Sequence, residues 1–251
     1  MINVTIIGAG RIGTMFSNLQ VFSSYSVRIL RRGQQNLLED GPIVVCTRND
    51  DLDGVLEWIP SSRYGDLIFV QNGMLSSWFE SHNLTSVTTA LLYVAVDSVG
   101  ADPVDGRRTV VTGPNADVFQ SMMSTLGLEC LGISPQSFQV EMVEKFLWNC
   151  IFGLLCAVYQ TSVGRVVECH RIEMSNLTQE LLGVCMARLN FSMTESSLVA
   201  LEQRLCDYSM SIYEYQGSVK EWEWRNGWLV NTNLPQPLHQ NFLEKVVPHL
   251  L

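Results

Sequence analysis

The sequence is poor in charge and poorer still in lysine. Only 16% of the 251 residues are charged, and the bases are almost all arginine, leaving Lys145, Lys220 and Lys245 as the lysines. Acids outnumber bases to give a net charge of −9. That balance is opposite to the one a nucleic-acid binder carries, so no nucleic-acid partner is expected. Four scattered histidines and seven cysteines without a C-x-x-C pair give no zinc signature, and no metal site is expected. An odd cysteine count with no disulfide framework fits reduced thiols in a cytoplasmic protein. Met1–Gly10 lacks the basic start and apolar core of an export signal. The longest nearly unbroken apolar run, Phe146–Tyr159, falls short of the roughly 20 residues that cross a bilayer, so no membrane partner is expected either. What is plentiful is apolar: 47% of the chain is hydrophobic, which excludes disorder and calls for a buried core. The length suits one large domain or two small ones.

The first half alternates strand and helix in the βαβ manner. Strands are expected at Ile2–Ile7, Val27–Leu30, Ile43–Cys46 and Asp66–Val70, with helices at Arg11–Phe22, Leu52–Trp58 and Leu75–His82. An extended stretch at Val87–Val96 leads into a hairpin within Asp97–Val111, then a helix at Ala116–Leu126 and a short strand at Glu129–Leu131. After Ser134-Pro135 the β-branched alternation fades and helical patterns run to the end. The expected architecture is therefore α/β: a Rossmann-type domain at 1–134 followed by an all-helical domain at 135–251, with a cleft between them.

Gly8-Ala9-Gly10-Arg11-Ile12-Gly13 matches G-x-G-x-x-G and sits between a predicted strand and a predicted helix. In that setting Gly8 allows the tight turn, Gly10 lets backbone approach a pyrophosphate, and Gly13 lets helix pack on strand. The helix start adds N–H groups aimed at phosphate. The second strand ends Leu30-Arg31-Arg32-Gly33, with no carboxylate for ribose hydroxyls. An arginine fork there suits a 2′-phosphate, so NADPH is the expected cofactor; a solvated turn is the other reading of the two arginines. Arg48 and Asn72 follow the third and fourth strands, where open α/β sheets bind ligands, although Asn72-Gly73 is also an ordinary turn pair.

Phe138–Gln160 is almost wholly apolar after Phe146, yet carries Glu141, Lys145, Asn149 and Gly153 at i+4 steps, on one helix face. A polar stripe on a buried helix needs partners or a wet cleft. A desolvated lysine can exchange a proton near neutrality. An exposed Glu141–Lys145 pair explains the same residues, and a solvated face explains Glu221 beside Lys220.

The chain as a whole resembles the ketopantoate reductase family. The resemblance lies in the glycine loop, in Asn72-Gly73-Met74, in Lys145-Phe-Leu-Trp-Asn149-Cys150, and in Ser209 followed at family spacing by Glu221 and Asn226-Gly227. It implies NADPH-dependent reduction of 2-dehydropantoate to pantoate, with Lys145 as general acid. It also implies that Glu221 binds the substrate hydroxyl and orients Lys145, and that Asn149 and Ser209 hold the substrate. Asn72 would lie at the cofactor–substrate junction, Arg31 on the 2′-phosphate and Arg48 on the cofactor side. The sequence departs from the family at Gly153, where a second asparagine is usual, at Leu75, where a glycine is usual, and in a trimmed 31–42 segment. Gly153 would leave more room and one donor fewer, which suits a different small 2-oxo acid. A catalytically silent NADP(H)-binding sensor is the reading from another class. A homodimer is left open.

Overall fold

The computed structural model describes residues 1–106 and 108–250. Contacts divide the chain into two compact units, Met1–Gln139 and Val140–Leu251.

The first unit is built on short apolar strands. β1 (Ile2–Ile7) is buried from Val4 onward, and β3 (Ile43–Val45) and β4 (Leu67–Phe69) are buried throughout, as parallel strands covered on both faces must be. With β2 (Tyr25–Leu30), β5 (Thr88–Leu91), β8 (Val110–Thr112) and β9 (Leu131–Gly132) they form one sheet in the order β2-β1-β3-β4-β5-β8-β9. The first five strands run parallel, β8 is antiparallel to β5, and β9 is parallel to β8. The extended stretch predicted at Val87–Val96 is split: β5 joins the main sheet, while β6 (Val94–Ala95) pairs with β7 (Val104–Asp105) in a separate antiparallel ribbon. Arg107, inside the predicted hairpin, lies outside the described residues.

The helices of this unit are α1 (Arg11–Ser17), α2 (Leu52–Leu56), α3 (Ser76–Ser81) and α4 (Ala116–Thr125). α1 is shorter than the sequence suggests. Ser17 Oγ donates back to Thr14 O at 2.6 Å, and the chain tightens into a 3₁₀ turn over Asn18–Val21. Phe16 and Phe119 meet at 5.7 Å between ring centres in a core shared with Met15, Leu19, Met122 and Met123. Because β2 lies on one side of β1 and β3 on the other, the carboxyl ends of β1 and β3 flank the switch point of the sheet, where α/β folds bind ligands.

The β2–β3 connection, residues 31–42, crosses over β1 without a helix. Side chains satisfy its backbone instead. Arg28 Nη1 donates to the carbonyls of Asn36 and Leu37 at 3.0 and 3.2 Å. Arg63 donates to those of Leu38 and Gly41 at 2.8 and 2.9 Å, and Thr5 Oγ1 accepts from the Leu38 N–H at 3.2 Å.

The second unit is helical. It contains most of α5 (Pro135–Tyr159), then α6 (Val163–Cys169), α7 (Arg171–Leu189), α8 (Glu195–Ser211), α9 (Asn226–Val230) and α10 (Pro237–Val246). The apolar run after Phe146 is only part of α5. The full helix, at 25 residues, is long and apolar enough to cross a membrane by length and composition, yet 67% of its most apolar window is buried within the protein. Ser162 and Thr194 cap α6 and α8, accepting from the Arg165 and Ser197 N–H groups. Glu144, buried on α5, is paired with Arg204 of α8 at 2.7 Å.

Gly153 is where the structure corrects the sequence reading. A Cβ there would lie 2.8 Å from the Ser218 carbonyl oxygen, and one at Gly217 would lie 2.9 Å from that of Phe152. The backbone of residues 217–218 presses directly on α5, so the room attributed to Gly153 is already filled. Trp222 and Trp224 lie in a 3₁₀ turn, and Trp228 on α9 meets Phe146 edge-on at 5.4 Å.

Candidate functional site

In the first unit a cavity of about 760 Å³ opens at the switch point. Gly8, Ala9, Gly10, Arg31, Arg32 and Arg48 line it, as predicted for cofactor residues. Arg11, Ile12, Gly13 and Asn72 do not. Arg11 Nη1 reaches the Val96 carbonyl at 3.3 Å, and Ile12 packs on the core. Asn72 contributes its carbonyl, which accepts from Asn49 Nδ2 at 2.7 Å.

The three glycines do different work. Gly8 has φ +104, and a Cβ on it would meet the Cys46 carbonyl oxygen at 2.9 Å. A Cβ on Gly13 would lie 1.8 Å from Gly8 O, an impossible overlap. Around Gly10 there is nothing within 4 Å of the Cβ position, so only that glycine faces open space. Thr47, just past β3, lines the cavity, and its buried Oγ1 has no hydrogen-bond partner. An unpaired buried hydroxyl costs free energy unless a ligand group meets it. The cleared space over Gly10, the orphan hydroxyl and three arginines together fit a phosphate-bearing dinucleotide. The sequence reading missed Thr47 and also Gln71. Gln71 bridges β3 and β4, donating Nε2 to the carbonyls of Val45 and Thr47 at 2.9 and 3.1 Å. Cys46 also lines the cavity, and burial pushes its thiol far up, so it is no nucleophile.

In the second unit the i+4 stripe is present on α5, where Lys145 and Asn149 are half-buried amid buried neighbours. Asn149 Nδ2 donates to the Lys145 carbonyl at 2.9 Å with one of its two N–H groups, and its Oδ1 is an acceptor. Ser209 is fully buried. Its hydroxyl donates to Leu205 O at 2.8 Å and accepts from Trp148 Nε1 at 2.9 Å. The indole is in turn held by Phe152, at 5.8 Å between ring centres, and by Tyr208, edge-on at 5.0 Å.

Glu221 adopts a left-handed backbone (φ 49, ψ 52), and its carboxylate meets Arg225 Nη2 at 2.6 Å. Arg225 is thus an ion partner of Glu221, four residues along the chain. The Arg225 side chain is only 10% exposed and its Nε has no partner. Its charge acts to lower the thiol of Cys150, the residue after Asn149, although burial wins and holds that thiol well up. No sequence motif marked Arg225; the i,i+4 spacing from Glu221 was the available signal.

Beyond the pair, Asn226 joins a buried network. His239 Nε2 is 2.8 Å from its side-chain oxygen, and Nδ1 is 2.8 Å from Gln236 Oε1. Burial lowers His239 to about 4, so its ring is neutral and carries one N–H. A neutral ring cannot donate to two carbonyl oxygens. Turning the Asn226 amide over gives Nε2 its donor and removes the otherwise partnerless Asn226 Nδ2. Gly227 follows because a Cβ there would strike the Trp222 indole nitrogen at 2.6 Å.

Neither a family model nor a curated protein sequence matches the chain. Solved structures do. A ketopantoate reductase from Ralstonia eutropha matches with a TM-score of 0.73 and 14% identity over 99% of this chain and 98% of that one. The fold is that of the ketopantoate reductases. A dimeric ketopantoate reductase from Staphylococcus aureus matches at 0.66 with 18% identity, over 99% of both chains. D-mandelate dehydrogenase in complex with NADH matches at 0.70 with 14% identity, again over 99% of both. The ketopantoate reductase fold is thus shared by enzymes of more than one 2-oxo or 2-hydroxy acid.

Proposed function

We propose that the protein is an NADPH-dependent reductase of a small 2-oxo acid, with 2-dehydropantoate the first candidate and pantoate the product. The supporting observation is a phosphate-fitted glycine-loop cavity and a Lys145–Asn149 stripe in one chain of the ketopantoate reductase fold. When bound, the cofactor supplies the hydride. Lys145, as general acid, gives its proton to the oxygen that the hydride leaves negative, which stabilises the charge as it forms. Asn149 offers an acceptor, Oδ1, to a substrate hydroxyl. Glu221, with its carboxylate steadied by Arg225, is a second such acceptor. The cavity residues Gly8, Ala9, Gly10, Arg31, Arg32 and Arg48 bind the dinucleotide, with Arg31 on the 2′-phosphate. Asn72 would act through the junction of cofactor and substrate. A homodimer, the state named for the S. aureus enzyme, belongs to the same proposal.

A second reading keeps the chemistry and changes the acid. It is favoured because Ser209 is bonded to Trp148 and the space beside Gly153 is taken by Ser218, two places where the resemblance put substrate contacts. NADPH oxidation with 2-dehydropantoate and a panel of aliphatic and aromatic 2-oxo acids separates the two. Lys145→Ala should lower turnover roughly 10²- to 10⁴-fold, the usual contribution of a general acid, while NADPH still binds. Binding with no turnover on any acid would leave the sensor reading.

A further inference from the structure

Two acids and three arginines line the first unit's cavity: Asp50 and Asp51 with Arg31, Arg32 and Arg48. β2 ends without the carboxylate that holds ribose hydroxyls in NAD sites, but Asp51 brings one from the neighbouring connection, after β3. Asp51 occupies the N-cap position of α2, where an aspartate ordinarily accepts from its own helix; its side chain makes no such bond. The carboxylate turns instead to Arg32 Nη2, at 3.1 Å. Arg32 stands on a fixed turn. Gln34 Oε1 accepts from the Arg31 N–H at 2.8 Å, the Gln34 N–H donates to Arg31 O at 2.9 Å, and Gly33 takes φ +84. One of the two guanidiniums that would meet a 2′-phosphate is thus already met by a carboxylate. Val55 and Trp58 add an apolar and aromatic wall suited to a purine.

We infer that Asp51 is a specificity-determining residue of this cavity, accepting from the adenosine ribose hydroxyl of NADH and opposing the 2′-phosphate of NADPH, so that the site takes both cofactors. The inference rests on reading the cavity as the dinucleotide site. With an unphosphorylated ribose, Asp51 can accept a hydrogen bond from the hydroxyl and keep Arg32. With a 2′-phosphate, Arg32 must pass to the phosphate, and Asp51 is left beside a like charge. The pair is solvent-exposed, and such pairs break easily, so Asp51 tempers NADPH binding without excluding it.

The test is equilibrium binding of NADPH and NADH to the intact protein by cofactor fluorescence, with 2′,5′-ADP and 5′-AMP as competitors that isolate the adenosine end. Wild type should prefer NADPH over NADH by less than roughly tenfold. Asp51→Asn should tighten NADPH and 2′,5′-ADP roughly three- to tenfold and weaken NADH and 5′-AMP, while Asp51→Glu stays near wild type. An unchanged NADPH-to-NADH ratio in Asp51→Asn overturns the role of Asp51 but leaves the dinucleotide reading standing. Failure of every one of these ligands to bind overturns both.

Discussion

At the residue scale, three glycines of one motif answer to two different demands. Gly8 and Gly13 are required by the protein itself, since side chains there would meet the backbone of Cys46 and of Gly8. Gly10 is required by nothing within 4 Å, so the fold does not demand a glycine there, and on the proposed reading a phosphate does. Gly13→Ala should therefore destabilise the fold by at least about 1–3 kcal/mol, the usual cost of overpacking. Gly10→Ala should keep the wild-type melting temperature and lose NADPH affinity by roughly tenfold or more, because a methyl group there holds a phosphate off the backbone. Thermal melts and cofactor titrations of the two variants check this. Wild-type binding by Gly10→Ala would mean that the cavity holds no pyrophosphate at that glycine.

At the element scale, α5 shows how far a periodic pattern reaches. Its i+4 stripe follows from 3.6 residues per turn and is legible without coordinates. What lies over the stripe is not, and at Gly153 it is the backbone of another segment. α10 is held in a similarly non-local way. Glu180 of α7 accepts from the Leu238 and His239 N–H groups at 3.0 and 2.7 Å, and the His239 ring is buried against Asn226 of α9. Folding lowers His239 from its ordinary value of 6.5 to about 4, so the unfolded chain binds the extra proton within that window. Its contribution to stability is complete above about pH 6.5 and is lost as pH falls toward 4, on the order of 3 kcal/mol in total. Urea midpoints of wild type and His239→Gln between pH 7 and 4.5 read it: the wild type should lose more stability on acidification. Parallel pH profiles would remove His239 as the cause.

At the scale of the whole molecule, the two units carry separate parts of the proposed reaction, and cofactor binding should register as stability. NADPH at 100 times its dissociation constant adds about 2.7 kcal/mol to a state that alone binds it. Calorimetry should show the transition of the Met1–Gln139 unit moving upward with NADPH concentration, and a midpoint blind to cofactor would contradict the dinucleotide reading. The strand–helix alternation of the first unit, the helical second unit, the glycine loop with the arginines after β2, and the polar stripe on α5 are all legible along the chain without coordinates. Each of these is set by steric and periodic rules acting over a few residues. The partners come from the folded chain: Asp51 with Arg32 across 19 residues, and Trp148 with Ser209 across 61. The pairing of Glu221 with Arg225 is close in sequence, but the left-handed turn at Glu221 that carries it follows no repeating pattern. Partner choice belongs to the fold because a hydrogen bond or ion pair forms with whatever group packing brings within about 3 Å, and local sequence does not encode that neighbour.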